Sequence, residues 1–268
     1  MITVELIKLF RRPRTWMALA LLDALPILVA VLLAVTDVSP RPGQGPAFLS
    51  AVTENGALFT IAALAIVLPL FLPISVAVIA GESVAGEAQA GTLRYLLARP
   101  VGRTRLLVAK LLAVFAFIVV AVLLVAGSGY VVGRLLFGVH STASTFSGTS
   151  LTNMQILERS VLAILYVMLS MLGIAAMALF LSTVSDSPLS ATLGALALLI
   201  GSSLLLTVDA ARSLQPYLPT RYWLSFVDLF RDPILWRDVE RGVALQGVYV
   251  VVLLGAAWAN FSSKDITS

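Results

Sequence analysis

The sequence predicts an all-α polytopic membrane protein with six membrane-spanning helices. Of its 268 residues, 59% are hydrophobic and only 12% are charged, whereas about a quarter of the residues in a soluble domain carry a charge. The apolar residues also form runs of about 20 residues, which is the length that an α-helix needs to cross a bilayer. Residues 1–268 are therefore expected to form a single transmembrane domain.

The loops between the apolar runs set the bounds of the predicted spans. Proline and glycine break residues 36–57, and residues 138–158 are small and polar, so both stretches are expected to be external loops. Only residues 183–188 separate the fourth run from the fifth, which predicts that these two helices are antiparallel neighbours. The six predicted spans are residues 16–35, 58–80, 106–136, 161–181, 189–208 and 243–260.

The N-terminal segment, residues 1–14, is predicted to be an amphipathic helix that lies on the inner leaflet. The loop after the first span carries only Arg41, whereas the N-terminal segment carries four bases, which are Lys8, Arg11, Arg12 and Arg14. Because lysine and arginine accumulate on the cytoplasmic side, this asymmetry places the N-terminus inside. Six spans then return the C-terminus to the cytoplasm, in a multi-pass protein of the cell's inner or plasma membrane.

Residues 209–241 are too charged to span a membrane but are rich in aromatic side chains. They hold five arginines and five acidic residues, and Pro216 and Pro219 break the chain. Aromatic side chains such as Trp223 and Trp236 prefer the headgroup region of a bilayer. The segment is therefore predicted to form short interfacial or re-entrant helices between the fifth and sixth spans.

Asp23 lies inside the first span, with Pro26 one helical turn later. A carboxylate at the centre of a bilayer costs roughly 2.5–3.5 kcal/mol, so this side chain must face protein or water. It either lines a translocation path or makes a hydrogen bond to a neighbouring helix beside the proline kink, and the second interpretation is favoured. Small residues at helical spacings predict close helix packing in the third and fifth spans. They are Gly129 and Gly133, and Gly194 and Gly201.

The composition excludes several classes of chemistry. The chain has no cysteine and a single histidine, His140, which excludes thiol catalysis and metal sites built from cysteines or several histidines. It contains neither a GxxxxGK[ST] phosphate loop nor an HExxH motif. Bases that flank the spans explain the net charge of +4, so no nucleic-acid partner is expected. Energy for transport must come from another chain or from an ion gradient.

A second charged stretch between two spans is residues 81–110, which read GESVAGEAQAGTLRYLLARPVGRTRLLVAK. Leu93, Leu96 and Leu97 stand at helical spacings and predict a short amphipathic helix at the membrane surface. Pro100 ends this helix, because the residue before a proline is disfavoured in the helical region. Such a helix is suited to bind a partner protein; alternatively, its leucines lie on the membrane surface.

This stretch resembles the cytoplasmic coupling segment in the permease subunits of ATP-binding-cassette (ABC) exporters of the type-2 branch. In that family an acid, the triplet Gly-Thr-Leu, a leucine pair, a proline and a base precede the third span in this order. An opening of the form E-L-x-K-x-x-R-R-x-R-T-W, six spans and a broken aromatic segment extend the resemblance over the whole chain. The matching residues are Glu87, Gly91, Thr92, Leu93, Leu96, Leu97, Pro100, Arg103 and Lys110.

The resemblance implies a dimer of six-helix permease subunits, identical or different, embedded in membrane lipids, with a separate ABC ATPase subunit docked below each permease. ATP and Mg²⁺ would bind to the ATPase, so this chain is expected to hold no cofactor and to be a transport subunit without an ATPase site. Asp23 has no place in the family's shared pattern, so its assignment to a translocation path rests only on its position inside the first span. The residues expected to couple to the ATPase are Glu82, Glu87, Gly91, Thr92, Leu93, Leu96, Leu97, Pro100 and Arg103.

The function implied by this resemblance is ATP-driven export of an unidentified substrate, for which the sequence leaves a hydrophobic or lipid-like molecule, a drug, a peptide, a polysaccharide and an ion open. Two other classes stay open on the sequence. An ion-driven secondary transporter usually shows paired intramembrane charges and inverted repeats, whereas Asp23 is the only clearly buried charge predicted here. The third class is a membrane assembly protein that transports nothing.

Overall fold

A computed structural model of the chain describes residues 1–36, 55–91, 102–138, 142–144 and 150–263. The α-helices and strands within these ranges are α1 (Ile2–Phe10), α2 (Pro13–Thr36), α3 (Phe59–Val67), α4 (Phe71–Gln89), α5 (Arg103–Phe137), β1 (Thr142–Ser144), β2 (Ser150–Thr152), α6 (Asn153–Val184), α7 (Pro188–Leu205) and α8 (Trp236–Ser263). The strands β1 and β2 form a short antiparallel hairpin between α5 and α6, with Ala143 opposite Leu151.

Six of these helices, α2 and α4 to α8, are long and apolar enough to cross a membrane. The predicted all-α polytopic fold class is therefore confirmed. The bounds differ in places: α6 begins at Asn153, inside the stretch that was expected to be an external loop. Its first turn is stabilised by a capping box, in which Thr152 and Gln155 each bond the other's backbone N–H.

The second predicted span, residues 58–80, is wrong in one respect, because it forms two helices. α3 ends at Val67 and α4 begins at Phe71, and between them Leu70 has φ −138° and ψ −61°, outside the helical region. The break falls between Pro69 and Pro73, which donate no backbone N–H and disfavour a helical conformation in the residues before them.

The second half of this span continues beyond its predicted end. α4 runs from Phe71 to Gln89, so Glu82 and Glu87 lie on the helix itself and not in a loop after it. The Gly56–Leu58 turn and α3 are almost entirely buried, so this half of the span is enclosed by its neighbours.

Both ends of the described chain lie at the same end of the helix bundle. Glu5 of α1 lies 3.6 Å from Lys110 near the start of α5, and Phe261 near the end of α8 packs with Leu106 and Leu107 of α5. We call this the α1 end and the opposite one the far end. The arrangement agrees with an even number of crossings; which side of a membrane each end faces stays a prediction.

The core is built around α6, which packs against α4, α5, α7 and α8. Its buried side chains include Val167, Met171 and Ile174, and they belong to a cluster that extends into α3 and α5. The turn between α6 and α7 spans only residues 185–187, so the predicted antiparallel pair is confirmed.

Glycine in α5 allows close approach of the Gly56–Leu58 turn and α3. A Cβ added to Gly129 would lie 2.9 Å from Ala63 Cβ, and one added to Gly133 would lie 2.5 Å from Phe59 Cβ. The packing role predicted for this GxxxG pair is confirmed. In α7 the prediction is correct only for Gly194, which faces Leu181; in the described part of the chain nothing lies within 4 Å of a Cβ built at Gly201.

The aromatic segment before α8 forms short 3-10 helices at the far end. In the longest of these, Trp223–Phe230, the side chains of Trp223, Phe226 and Phe230 are buried against α6 and α8. Arg159 of α6, which was expected near an external loop, is also buried and donates a hydrogen bond to the Arg231 carbonyl at 2.9 Å. The predicted interfacial position of this segment and of α1 stays a prediction.

Candidate functional site

The predicted coupling segment begins at the end of α4. Gly91, just past Gln89, has φ +66°, a left-handed conformation that glycine adopts without steric cost and that commonly ends helices. The remaining residues predicted for the segment lie outside the described residues, and their roles stay predictions. They are Thr92, Leu93, Leu96, Leu97 and Pro100.

Glu87, near the end of α4, is buried between two lysines. Its carboxylate pairs with Lys8 of α1 and with Lys110 of α5, whose Nζ lies 2.7 Å from Glu87 Oε2. The Lys110 side chain is 1% exposed, and it also donates a hydrogen bond to the Ser83 carbonyl at 2.6 Å. Its Nζ lies 3.6 Å from Glu5 Oε2. Because buried charges need partners, these contacts join α1, α4 and α5.

Glu82, on the preceding turns of α4, is held by two arginines. It pairs with Arg14, and its Oε2 lies 3.8 Å from Arg12 Nη1. We call the whole group the α1-end charge cluster, and it lines a cavity of about 610 Å³. Its members are Glu5, Lys8, Arg12, Arg14, Glu82, Glu87 and Lys110.

Arg103 opens α5 and reaches the end of α8. Its Nη1 donates hydrogen bonds to the carbonyls of Phe261, at 3.3 Å, and Ser262, at 2.8 Å. The last carbonyls of a helix lack partners within the helix and carry partial negative charge, so an arginine stabilises them. Beside it, Trp258 Nε1 donates to Thr104 Oγ1 at 2.9 Å. The return side of the coupling segment is therefore joined to the last helix.

Ser182 of α6 is hydrogen-bonded to the backbone of α4. Its hydroxyl donates to the Gly81 carbonyl at 2.6 Å and accepts from the Ala85 amide at 2.9 Å, which are two groups that pair directly in an ideal α-helix. The Val84 amide also donates to this oxygen at 3.1 Å. These hydrogen bonds lie just before Glu87 and join α4 to α6.

Most of the helices that carry these residues lie within a part of the chain that matches a known protein family. A family model described as ABC-2 family transporter protein matches residues 1–201, about three quarters of the sequence. The chain belongs to the ABC-2 family. A comparison with curated proteins found no match.

As a member of the ABC-2 family, the chain is a multi-pass membrane protein and a permease component of a transporter. Members of the family generally pair with a separate ABC ATPase subunit. The matched residues include α1 to α6 and most of α7, and therefore the whole α1-end charge cluster.

Asp23 of this ABC-2 protein accepts a hydrogen bond from the Ser128 hydroxyl of α5. This contact joins α2 to α5 in the middle of the bundle, and it supports the helix-packing interpretation of Asp23. The side chain is partly exposed. Its place on a translocation path stays a prediction.

Sequence reasoning placed Glu82 and Glu87 in the coupling segment of this ABC-2 protein but missed their partners. Lys8 was interpreted as an interfacial base and Lys110 as a flanking base, whereas both neutralise Glu87. One signal was available: Lys110 is followed at once by a long apolar run, and a lysine at such a position needs a nearby acid. Ser182 carried no comparable signal, because serine is common in membrane helices.

Proposed function

We propose that this chain is the membrane-spanning subunit of an ATP-driven exporter, energised by a separate ABC ATPase that docks at the α1 end. The α1 end then faces the cytoplasm, and both termini lie inside the cell. The active unit is a pair of permease subunits, identical or different, and the substrate is hydrophobic or lipid-like. ATP and Mg²⁺ bind to the ATPase, because this sequence has no phosphate loop.

The observation that carries this proposal is that the coupling segment is anchored on both sides, within a chain of the ABC-2 family. Before it, Glu82 and Glu87 join α4 to α1 and α5. After it, Arg103 joins α5 to the end of α8. Because both ends of the coupling segment are bonded to several helices, a displacement of the segment also displaces those helices.

In this mechanism, closure of the ATPase subunits moves the coupling segment, and the segment moves α4 and α5. Leu93, Leu96 and Leu97 form the apolar contact with the ATPase. Glu87 and Arg103 act as positioning residues that hold the segment against α1 and α8. The pair of permease subunits then opens toward the far end and releases the substrate there.

The proposal is tested by replacing Leu96 and Leu97 together with aspartate. The variant is co-expressed with a candidate cassette ATPase from the same organism, and both ATPase recovery on affinity purification and ATP hydrolysis in proteoliposomes are measured. We expect both to fall about tenfold or more, since two buried carboxylates oppose an apolar contact by at least 1.4 kcal/mol.

The matched control replaces Leu135 and Leu136 at the far end, which are 78% and 42% exposed, with aspartate. This pair has the same sequence and the same change of charge, but it lies at the other end of α5. The control is expected to recover the ATPase as the unaltered chain does. Normal recovery and hydrolysis with Leu96 and Leu97 replaced would show that the coupling segment is assigned wrongly.

A further inference from the structure

A second cavity, of about 620 Å³, lies between α5 and α6 toward the far end. Its volume lies within the roughly 300–1,000 Å³ that is typical of small-molecule sites. Small residues of α3 and α5, among them Thr60 and Gly127, form its floor, and its walls are apolar. We call it the far-end groove. Its apolar walls include Leu123, Ile156, Leu157, Val161 and Ile164.

The rim of the far-end groove is polar and carries one positive charge. Arg134 of α5 lines the rim with Tyr130, one turn earlier on the same helix, and with Asn153 at the start of α6. Arg134 is exposed and forms no ion pair with any acid in the ranges that the structure describes. The groove therefore combines an apolar body with a cation that has no ion-pair partner among the described residues.

The depth of Arg134 matches the level of lipid headgroups. Along α5, no charged residue occurs between Lys110 and Arg134, and they are separated by roughly 36 Å at about 1.5 Å per residue. The hydrocarbon core of a bilayer is about 30 Å thick. Since Lys110 belongs to the α1-end charge cluster, Arg134 lies at the headgroup level of the opposite leaflet, and the groove extends from there into the acyl-chain region.

Thr60 on the groove floor places a polar group below the rim. The residue is only 5% exposed. It packs beside Gly129, which lies roughly 7 Å deeper along α5 than Arg134. This depth is where the ester carbonyls of a phospholipid lie when its phosphate contacts Arg134, and a threonine hydroxyl can donate a hydrogen bond to such a carbonyl.

We propose that the far-end groove binds one anionic phospholipid from the leaflet opposite α1. The guanidinium of Arg134 pairs with the phosphate, and Tyr130 and Asn153 donate hydrogen bonds to the headgroup. Thr60 donates to an ester carbonyl. One acyl chain lies along Leu123 and Ile164. A zwitterionic headgroup fits less well, because its own cation would stand close to Arg134. The site does not depend on the ATPase.

The headgroup assignment is tested by native mass spectrometry of the purified full chain in detergent. The chain is titrated with dioleoylphosphatidylglycerol or with dioleoylphosphatidylcholine, and the amount of each lipid retained is measured. We expect one retained phosphatidylglycerol per chain and about a fivefold preference over phosphatidylcholine, as one base near the surface provides. Arg134→Gln should remove the preference. Arg237→Gln, an exposed arginine at the far end outside the groove, should keep it.

The location of the acyl chain is tested by filling the groove. A Cβ built at Gly127 meets no described atom within 4 Å, so Gly127→Leu occupies the groove without displacing the backbone. We expect retention of both lipids to fall about tenfold. Gly255→Leu on α8, whose Cβ position is equally open, is the matched control and should retain both lipids normally.

Three results would overturn the proposal. Equal retention of the two lipids by the unaltered chain, or equal behaviour of Arg134→Gln and Arg237→Gln, would show that Arg134 selects no headgroup. Normal retention by Gly127→Leu would place the lipid elsewhere on the surface. If Gly127→Leu fails to fold, Val161→Trp fills the same groove from α6, and normal retention by that variant has the same meaning.

Discussion

Replacement of Lys110 with methionine should destabilise the bundle more than any other single loss of charge at the α1 end. Methionine keeps the length and apolar character of the lysine side chain but removes its ammonium group. In the structure the Lys110 side chain is 1% exposed, and its Nζ lies 2.7 Å from Glu87 Oε2 and 2.6 Å from the Ser83 carbonyl. The change therefore leaves the Glu87 carboxylate without its buried cation, while the more exposed Lys8 stays.

The expected loss of unfolding free energy is about 3 kcal/mol. Breaking a buried ion pair by removing one partner costs about 3–5 kcal/mol. Glu87 keeps Lys8, but the Lys8 side chain is 40% exposed, and a solvent-screened pair contributes only about 0–1 kcal/mol. Glu87→Gln should cost less, about 1–2 kcal/mol, because Lys110 then keeps Glu5 at 3.6 Å and the Ser83 carbonyl.

The assay is unfolding of the purified chain by SDS in mixed micelles, followed by loss of helical circular dichroism. The single variants Lys110→Met and Glu87→Gln and their double variant form a thermodynamic cycle. We expect the double variant to be more stable than the sum of the single losses predicts, with a coupling energy of roughly 1–3 kcal/mol. Arg105→Met, an exposed base on the same helix, should change stability by less than about 0.5 kcal/mol.

Two results would contradict this reasoning. If Lys110→Met is no more destabilising than Arg105→Met, the lysine is not a buried partner of Glu87. If the losses in the cycle simply add, Lys110 and Glu87 do not interact, and the connection between α1, α4 and α5 has another basis.

Two further changes test the packing of the bundle. Gly133→Ala places a Cβ 2.5 Å from Phe59 Cβ, so we expect the unfolding free energy to fall by about 1–3 kcal/mol in the same assay. The control Gly255→Ala, which has open space at its Cβ, should leave stability unchanged. Equal effects of the two changes would show that α3 and α5 do not approach closely. Ser182→Ala removes the hydroxyl that bonds to the backbone of α4 and should lower the unfolding free energy by about 1 kcal/mol. The control Ser75→Ala removes only a hydrogen bond to a carbonyl of its own helix. An unchanged stability of Ser182→Ala would show that this hydroxyl does not join α4 to α6.

The sequence was sufficient for the fold class and for the order of the spans. Twenty-residue apolar runs have few stable conformations in a membrane other than helices, so composition and run length predicted the crossings before any tertiary contact was considered. Close packing at the GxxxG pair of α5 could also be predicted, because two glycines one turn apart leave a shallow helix face for any neighbour that packs on it. The break of the second span into two helices was harder to predict, since prolines are tolerated inside membrane helices.

The coupling segment shows where sequence reasoning ended. Its position followed from the order of Glu87, Gly91 and Arg103 in the chain, and Gly91 does end α4 as a left-handed residue. The partners of the charged residues did not follow, because Lys8 and Glu87 are far apart in sequence and meet only when α1 folds against α4 and α5. Ser182 and Gly81, which α6 and α4 bring together, are a similar case.

By itself, the sequence determined that this protein crosses the membrane repeatedly and where its polar segment interrupts the crossings, since both depend on local hydrophobicity and chain length. Only the tertiary structure decided which charges neutralise one another, which helix Ser182 bonds to, and where an arginine without an ion-pair partner among the described residues meets an apolar groove. Those properties depend on contacts between distant parts of the chain, and local periodicity carries no information about which helix faces which neighbour.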